Sequence, residues 1–349
     1  MASQHLRAPY ASIHENPQGP GDARPTALQI IKDEDLINKW SDRAVLITGG
    51  SSGLGIETAR ALHATGARVF ITTRSLPAAE AVKADILATS PGKGDIEIIR
   101  MELDDLTSIQ RAAEEFLAKS DTLNVLVNNA GVMAVPYAKT KDGFESTFGI
   151  NHLAHFLFTQ LLLPILIASS TPSFHSRVVN VSSQGHRYAV GGLSPKVLED
   201  VMFEEGGYNE VLAYGRSKAA NILHANGIER RYGYGEHPVH AFSLHPGGIT
   251  TNLWRHMSKE QAKATEEEHW NIWKSPEQGA ATQVWCAVAK VWEGKPGTYC
   301  HDCQEAVKLR EEEWRNMNFG GAAPWVYEKD QEEKLWELSE ELVREKYLD

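Results

Sequence analysis

The sequence predicts a doubly wound α/β fold: a mostly parallel sheet of about seven strands in a single domain, followed by a C-terminal extension. Three observations carry that expectation. From residue 44 onward, short β-branched runs alternate with helix-length segments. The runs are almost continuously apolar, as strands covered on both faces must be. A glycine-rich turn joins the first run to the first helical segment, where a phosphate-binding loop would stand.

Residues 1–40 stand apart from this pattern. The opening MASQHLRAPYASIHENPQGPGDARPTAL is rich in Pro, Gly and polar residues, lacks the apolar centre of a signal peptide, and reads as a mobile arm. The expected strands are AVLITGG (44–50), ARVFITTR (67–74), IEIIRM (96–101), LNVLVNNAG (123–131), SRVVNVSS (176–183), VHAFSLHPG (239–247) and a short seventh near GTYC (297–300). Helical stretches between them include 54–65, 106–119, 143–168 and 213–231. No internal repeat or domain boundary interrupts residues 41–305, which form the expected dinucleotide-binding body. Residues 306–349 form a helical extension, in which DQEEKLWELSEELVREKY reads as a surface helix with Leu335, Leu338 and Leu342 on one side. The most apolar stretch, HFLFTQLLLPILIAS (155–169), is shorter than the roughly 20 residues a bilayer requires and is broken by His155, Gln160 and Pro164. A buried or interface helix is expected there, not stable membrane insertion.

Composition narrows the function. A 42% hydrophobic and 23% charged chain of 349 residues can bury a sizeable core. Its net charge of −11 argues against a nucleic-acid partner and against anionic membranes. Three cysteines, Cys286, Cys300 and Cys303, make no disulfide framework and suit a reducing, cytoplasmic setting. The CHDC stretch (300–303) lacks a second ligand pair, so structural cysteines and no metal site are expected. The run KATEEEHW reads as a solvated face. Eight of the nine tryptophans follow residue 250; Trp254, Trp270 and Trp273 come just after the sixth strand, near the expected crevice.

LITGGSSGLG (46–55) has the strand–turn–helix context of a Rossmann-type loop with TGxxxGxG spacing. Gly49 permits the turn, Gly53 lets backbone approach a pyrophosphate, and Gly55 allows close packing; Ser51, Ser52 and Leu54 complete the loop at a helix N-terminus. The second strand ends ITTRS, with Thr73 where an NAD-selective site places an acid, and Arg74 beside it. A guanidinium there can pair with a 2′-phosphate, which points to NADP(H). In LAYGRSKAANIL (212–223), Tyr214 and Lys218 share a helix face, with Ser217 and Asn221 close by. The pair is either a half-buried tyrosine beside a solvated lysine, or a phenol made acidic by a cation. A unit charge about 5 Å away is worth roughly 3 kcal/mol at an effective dielectric near 20, close to two pKa units.

The motifs TGxxxGxG (48–55), NNAG (128–131), GINHLAHF (149–156), VVNVSS (178–183), YGRSK (214–218) and HPGGITT (245–251) fall in one order. Over roughly residues 42–305 the chain thereby resembles the short-chain dehydrogenase/reductase family, most closely a retinol-dehydrogenase-like branch with fungal-type members. The resemblance implies Tyr214 as general acid/base, Lys218 as the cation beside it and a ligand of the nicotinamide ribose, Ser183 on the substrate oxygen, and Asn151 in a water-mediated proton relay. It implies cofactor contacts from Asn129, Ala130 and Gly131, from Glu102 and Leu103 (with Asp104 a competitor at the adenine), and from Ile249 and Thr251 at the carboxamide. It also implies a homodimer face along the helix from residue 143.

Between Ser183 and Tyr214 lies an insertion, QGHRYAVGGLSPKVLEDVMFEEGGYNEVLA, expected to form a lobe over the pocket. The N-terminal arm has no anchor like that of several retinol-active relatives, which argues against retinol itself. His186 either touches substrate or caps a turn; His152 and His155 are expected to pack within their helix. The leading expectation is an NADP(H)-dependent oxidoreductase interconverting a ketone or aldehyde and an alcohol on a lipophilic small molecule of secondary metabolism. The alternatives are a non-redox lyase, cyclase or isomerase reusing the site, and a non-catalytic nucleotide-sensing protein.

Overall fold

Burial on both faces turns the apolar runs into strands: β1 (Ala44–Ile47), β2 (Arg68–Thr73), β3 (Ile96–Arg100), β4 (Val125–Asn128), β5 (Ser176–Val181), β6 (Val239–His245) and β7 (Tyr299–His301). The structure, a computed structural model, describes residues 7–347 apart from 257–259, 261, 262, 264–266, 268, 269, 311 and 317–319. The strands lie in the order β3-β2-β1-β4-β5-β6-β7 and pair in parallel throughout. An eighth strand, β8 (Gln304–Glu305), adds antiparallel to β7. It was not expected, because its turn sets Asp302 and Cys303 at positive φ (49° and 52°) without the glycine that usually marks such a hairpin.

Around the sheet lie α1 (Ala27–Asp33), α2 (Leu54–Ala64), α3 (Leu76–Thr89), α4 (Leu106–Lys119), α5 (Ala154–Ser169), α6 (Glu210–Tyr232), α7 (Ala281–Val288) and α8 (Lys329–Tyr347). Local chemistry sets several starts: Asp105 accepts from Ser108 N ahead of α4, and Asn209 from Leu212 N ahead of α6. Successive strand residues face opposite sides. Leu46, Leu126 and Val178 join a core with Phe116 and Leu157, while Val45, Val127 and Val179 join another with Ile30 and Trp285. The run Ser146–Ser169 is long and apolar enough to cross a membrane, but 67% of its most apolar window is buried in the protein.

Two expectations at the chain ends are corrected. Residues 7–40 are not a loose arm: Ile30 and Ile31 of α1 are fully buried, and Arg24 is 4% exposed. Tertiary hydrogen bonds satisfy the Gly- and Pro-rich backbone, which composition alone does not reveal. At the other end, α8 is docked rather than superficial. Leu335, Trp336, Ser339 and Val343 face inward, with Leu338 and Leu342 at the margin. A Cβ at Gly227 of α6 would strike Trp336 at 2.7 Å, so the helices are in close contact. The segment before α8 has only one short 3-10 turn, Pro324–Tyr327, among its described residues, and Trp314 and Trp325 pack with Ile222 of α6 and Tyr299 of β7.

Candidate active site

Strand order switches direction between the parallel neighbours β1 and β4, and the crevice at their C-terminal ends is where such a sheet binds ligands. Thr48, the first residue after β1, ties the two strand ends together. Its hydroxyl accepts from Asn129 N (2.9 Å) and Ala130 N (3.0 Å), and its carbonyl accepts from Asn129 Nδ2 (2.9 Å). Having accepted twice, the hydroxyl has its own proton left for His155 Nε2, 2.9 Å away. His155 Nδ1 then carries the ring proton and donates to Asn151 O at 3.1 Å. Burial pushes the His155 pKa down to about 4, so this neutral tautomer persists. Sequence reading placed His155 merely in the core; its link to Thr48 spans 107 residues and leaves no local signal.

The glycine turn leads from Thr48 into α2. A Cβ at Gly55 would stand 2.3 Å from Gly49 O, so only glycine lets the helix start this close to the turn. At Gly53, with φ of 55°, a Cβ would meet nothing nearer than Thr251 Cβ at 3.7 Å, leaving an open cradle between this turn and the loop after β6. Gly53 has no side chain to cap α2, so the helix's first turn is available to an anion. Ser51 and Leu54 line the turn half-buried, and Ser52 is exposed. The hydroxyls of Ser51 and Thr73 are 2.8 Å apart, and Thr73 Oγ1 also accepts from Ser75 N at 3.0 Å. Arg74 is exposed beside them and forms no ion pair among the described residues. Glu102 is differently engaged: its carboxylate pairs with Arg100 (3.0 Å) and Lys141 (2.9 Å), which hold its pKa below the usual range. Leu103 packs against the core, and Asp104 O accepts from Lys141 N.

Asn151, Ser183, Tyr214 and Lys218 converge on one side of the crevice. Ser183 follows β5, and α6 crosses above it, held by Ser182 Oγ donating to Lys218 O (2.7 Å). The Ser183 and Tyr214 hydroxyls are hydrogen-bonded, and Gly185 N donates to Ser183 Oγ at 3.0 Å. Lys218 Nζ donates to Val181 O at 2.9 Å and lies 5.6 Å from the Tyr214 ring centroid. A Cβ at Gly131 would stand 3.0 Å from Asn151 Oδ1 and 3.5 Å from Lys218 Nζ, so NNAG reaches the same cluster. A π-helical turn, Gly149–Leu153, presents Asn151. Its amide donates to Val132 O and Ser217 Oγ, both at 2.9 Å, and accepts from Val132 N. Its carbonyl faces His155 and the Asn221 amide, which donates to it at 2.9 Å when turned nitrogen-first.

The expected acidification of Tyr214 is corrected. Burial pushes the phenol up to about 12 against the opposing Ser183 hydrogen bond, and burial also lowers Lys218 to about 8. In the structure the ammonium is directed to the Val181 carbonyl.

The loop after β6 closes the crevice. Ile249 is buried, and Thr251 Oγ1 caps the next turn by accepting from Leu253 N. Trp273 lies against Gly248, and its ring meets Trp254 edge-on at 4.8 Å, whereas Trp270 is exposed. His186 does not point at the pocket: it is fully buried, with Nδ1 2.7 Å from Ser183 O and Nε2 accepting from Ala323 N at 3.0 Å. The insertion is tied down at two points: the Tyr208 hydroxyl donates to Val135 O at 2.9 Å, and Leu193 N donates to Gln331 Oε1 of α8 at 2.7 Å. The CHDC cysteines are buried and free, and burial raises both thiols, Cys303 to about 12. Of KATEEEHW, most residues lie outside those described.

A crevice with an uncapped glycine turn on one wall and a serine–tyrosine–lysine group on the other is the site of a nicotinamide-dinucleotide oxidoreductase. The short chain dehydrogenase family profile matches residues 43–195. The short-chain dehydrogenase/reductase prx1 of Penicillium roqueforti is 46% identical over 338 residues, 96% of this chain and 94% of that protein. Human retinol dehydrogenase 11 is 40% identical over 271 residues, 76% and 78% of the two chains. Among solved structures, the NADP complex of Pseudomonas aeruginosa RhlG superposes with a TM-score of 0.60 at 26% identity, covering 76% of this chain and 96% of that one. The chain belongs to the short-chain dehydrogenase/reductase family, in its retinol-dehydrogenase-like branch with fungal-type relatives.

Proposed function

We propose that this oxidoreductase is NADP(H)-dependent and interconverts a ketone or aldehyde and an alcohol on a lipophilic small molecule of secondary metabolism. The observation that carries the reading is the hydrogen bond between the Ser183 and Tyr214 hydroxyls at the crevice mouth, with Lys218 and Gly131 behind it. The open cradle between Gly53 and Thr251 has the form a pyrophosphate needs. Gly49, Ser51, Ser52, Gly53, Leu54 and Gly55 would hold it, Arg74 would pair with the 2′-phosphate, and Asn129, Ala130 and Gly131 would line the adenosine side with Glu102 and Leu103. Lys218 and Tyr214 would meet the nicotinamide ribose, and Ile249 and Thr251 the carboxamide.

The bound cofactor supplies the hydride. The chain's own groups handle the oxygen. Ser183 Oγ donates a hydrogen bond where negative charge grows on the carbonyl oxygen, and Tyr214 Oη carries the proton that oxygen takes up. Because burial holds the phenol near 12, it stays protonated at neutral pH and is ready as a donor. Lys218 would keep positive charge beside it, and Asn151 would anchor a water-mediated relay through Lys218 that resupplies the proton. The edge-on Trp254 and Trp273 rings near the cradle support a lipophilic, ring-bearing substrate.

Three free, buried cysteines suit the proposed cytoplasmic setting. A homodimer along the helix from residue 143 would have to share that flank with α8, which already covers part of α6.

The test is NADPH absorbance with a panel of hydrophobic ketones. Turnover in the wild type and its loss by about 10²–10⁴-fold in Tyr214→Phe are expected. Product formed without cofactor consumption would favour the lyase, cyclase or isomerase reading.

A further inference from the structure

The N-terminal segment reaches the loop after β6 through one buried guanidinium. Arg24 is 4% exposed, and its donors are directed at backbone as well as at its carboxylate partner. Nε pairs with Asp22 Oδ1 at 2.8 Å, Nη1 donates to Ile272 O at 2.8 Å, and Nη2 donates to Trp273 O at 2.5 Å and Gly19 O at 3.1 Å. Gly19 N in turn donates to Asn271 O at 2.9 Å. The stretch 271–273 is thus gripped from residues 19–24.

That stretch grips the site from its other side. Lys274 N donates to Gly248 O (2.9 Å), Lys274 Nζ donates to Pro246 O (3.3 Å), and the Trp273 ring lies 3.5 Å from a Cβ placed at Gly248. A second strut runs through Gln278, whose side chain accepts from Gly21 N and donates to Asp22 O and Arg24 O. Gln278 is the third residue of the one-turn helix Pro276–Gly279, where a Cβ at Gly279 would strike Ile249 at 2.6 Å and Leu54 at 2.8 Å. That turn therefore packs against both Ile249 and the glycine loop's Leu54.

We infer that Arg24 is a positioning residue: it sets the wall formed by residues 246–251 for the nicotinamide half of the dinucleotide, without touching the ligand. A buried cation that gathers three carbonyls with one carboxylate is costly to place and defines one geometry. The segment's distance in sequence from the site it shapes, 249 residues from Arg24 to Trp273, hides this from the sequence.

The inference rests on the cofactor reading above, and two ligands separate the two. NADPH spans the adenosine and nicotinamide halves, while adenosine 2′,5′-bisphosphate occupies only the first. Calorimetry on the full chain should show both binding to the wild type. In Arg24→Ala, NADPH affinity should fall about tenfold or more while adenosine 2′,5′-bisphosphate affinity stays within twofold. Arg24→Lys, which keeps the charge but cannot reach both Ile272 and Trp273, should show a smaller shift of the same kind and serves if the alanine variant does not fold. Equal weakening of both ligands, or of neither, overturns the positioning role. A wild type that binds neither overturns the cofactor reading, and this inference with it.

Discussion

The Thr48 hydroxyl and His155 Nε2 lie 2.9 Å apart in the core, joining the end of β1 to the helix that carries Asn151. Because that hydroxyl already accepts two backbone N–H groups, the contact fixes the histidine tautomer and, through Nδ1, the orientation of the Asn151 carbonyl. Removing the ring strands the buried Thr48 O–H, at about 1–3 kcal/mol, and leaves the Asn151 carbonyl with the Asn221 amide alone. His155→Phe is therefore expected to lower stability by roughly 1–3 kcal/mol and reduce kcat by more than it raises KM. His155→Gln, which can restore one of the two bonds, should recover part of both. Urea unfolding and steady-state kinetics measure it; wild-type kcat in His155→Phe would contradict the link.

On the proposed mechanism, Lys218 is expected to set the alkaline limit of reduction. Its pKa, lowered by burial to about 8, means the ammonium is charged below that pH and lost above it. Tyr214 stays protonated until about 12 and does not limit the donor role. With kcat/KM for ketone reduction measured from pH 6 to 10 (an assay range of about four units), a plateau should give way above about 8 to a fall of one decade per unit. In Lys218→Arg, which stays charged, that fall should vanish from a lower plateau.

On the proposed NADP(H) reading, Arg74 and Thr73 would set the choice between the two nicotinamide dinucleotides. An aspartate at 73 can keep accepting from Ser75 N, as the threonine hydroxyl does, while repelling a 2′-phosphate. The double variant Thr73→Asp with Arg74→Ala should lose about two orders of magnitude in NADPH affinity, roughly 3 kcal/mol, and gain for NADH. An unchanged ratio of the two dissociation constants would refute the assignment of Arg74.

Acid should unfold the protein through its buried histidines. Burial lowers His152, His186 and His245 to about 3, His155 to about 4, and His224 well below its usual value. These groups are neutral when folded, so stability is complete above the unfolded pKa of about 6.5. Below it the unfolded chain binds protons the folded chain refuses, and stability falls toward the folded pKa values. At pH 5.5 the loss is about 1.4 kcal/mol for each histidine. Urea midpoints that agree between pH 7.5 and about 5.5 would exclude this reading.

Legibility followed locality. The strand runs, the glycine turn, the strand-end Arg74 and the tyrosine–lysine spacing are written in neighbouring residues, since strand period, turn geometry and helix pitch are local properties. The docking of residues 7–40, the inward face of α8 and the engagement of Glu102 with Lys141 were not readable, because each depends on a partner far along the chain. His186 shows the same divide. Both of its readings were open until Ala323 N supplied the hydrogen bond that takes its outer nitrogen.

By itself the sequence determined the succession of strands and helices along the chain, the place of the glycine turn and the tyrosine–lysine spacing on one helix. Only the tertiary structure decided the burial of Tyr214 and Lys218, the hydrogen-bond partners of His155 and the contacts of Arg24. Those depend on burial and on which dipoles surround a group, and folding alone brings these together from distant parts of the chain.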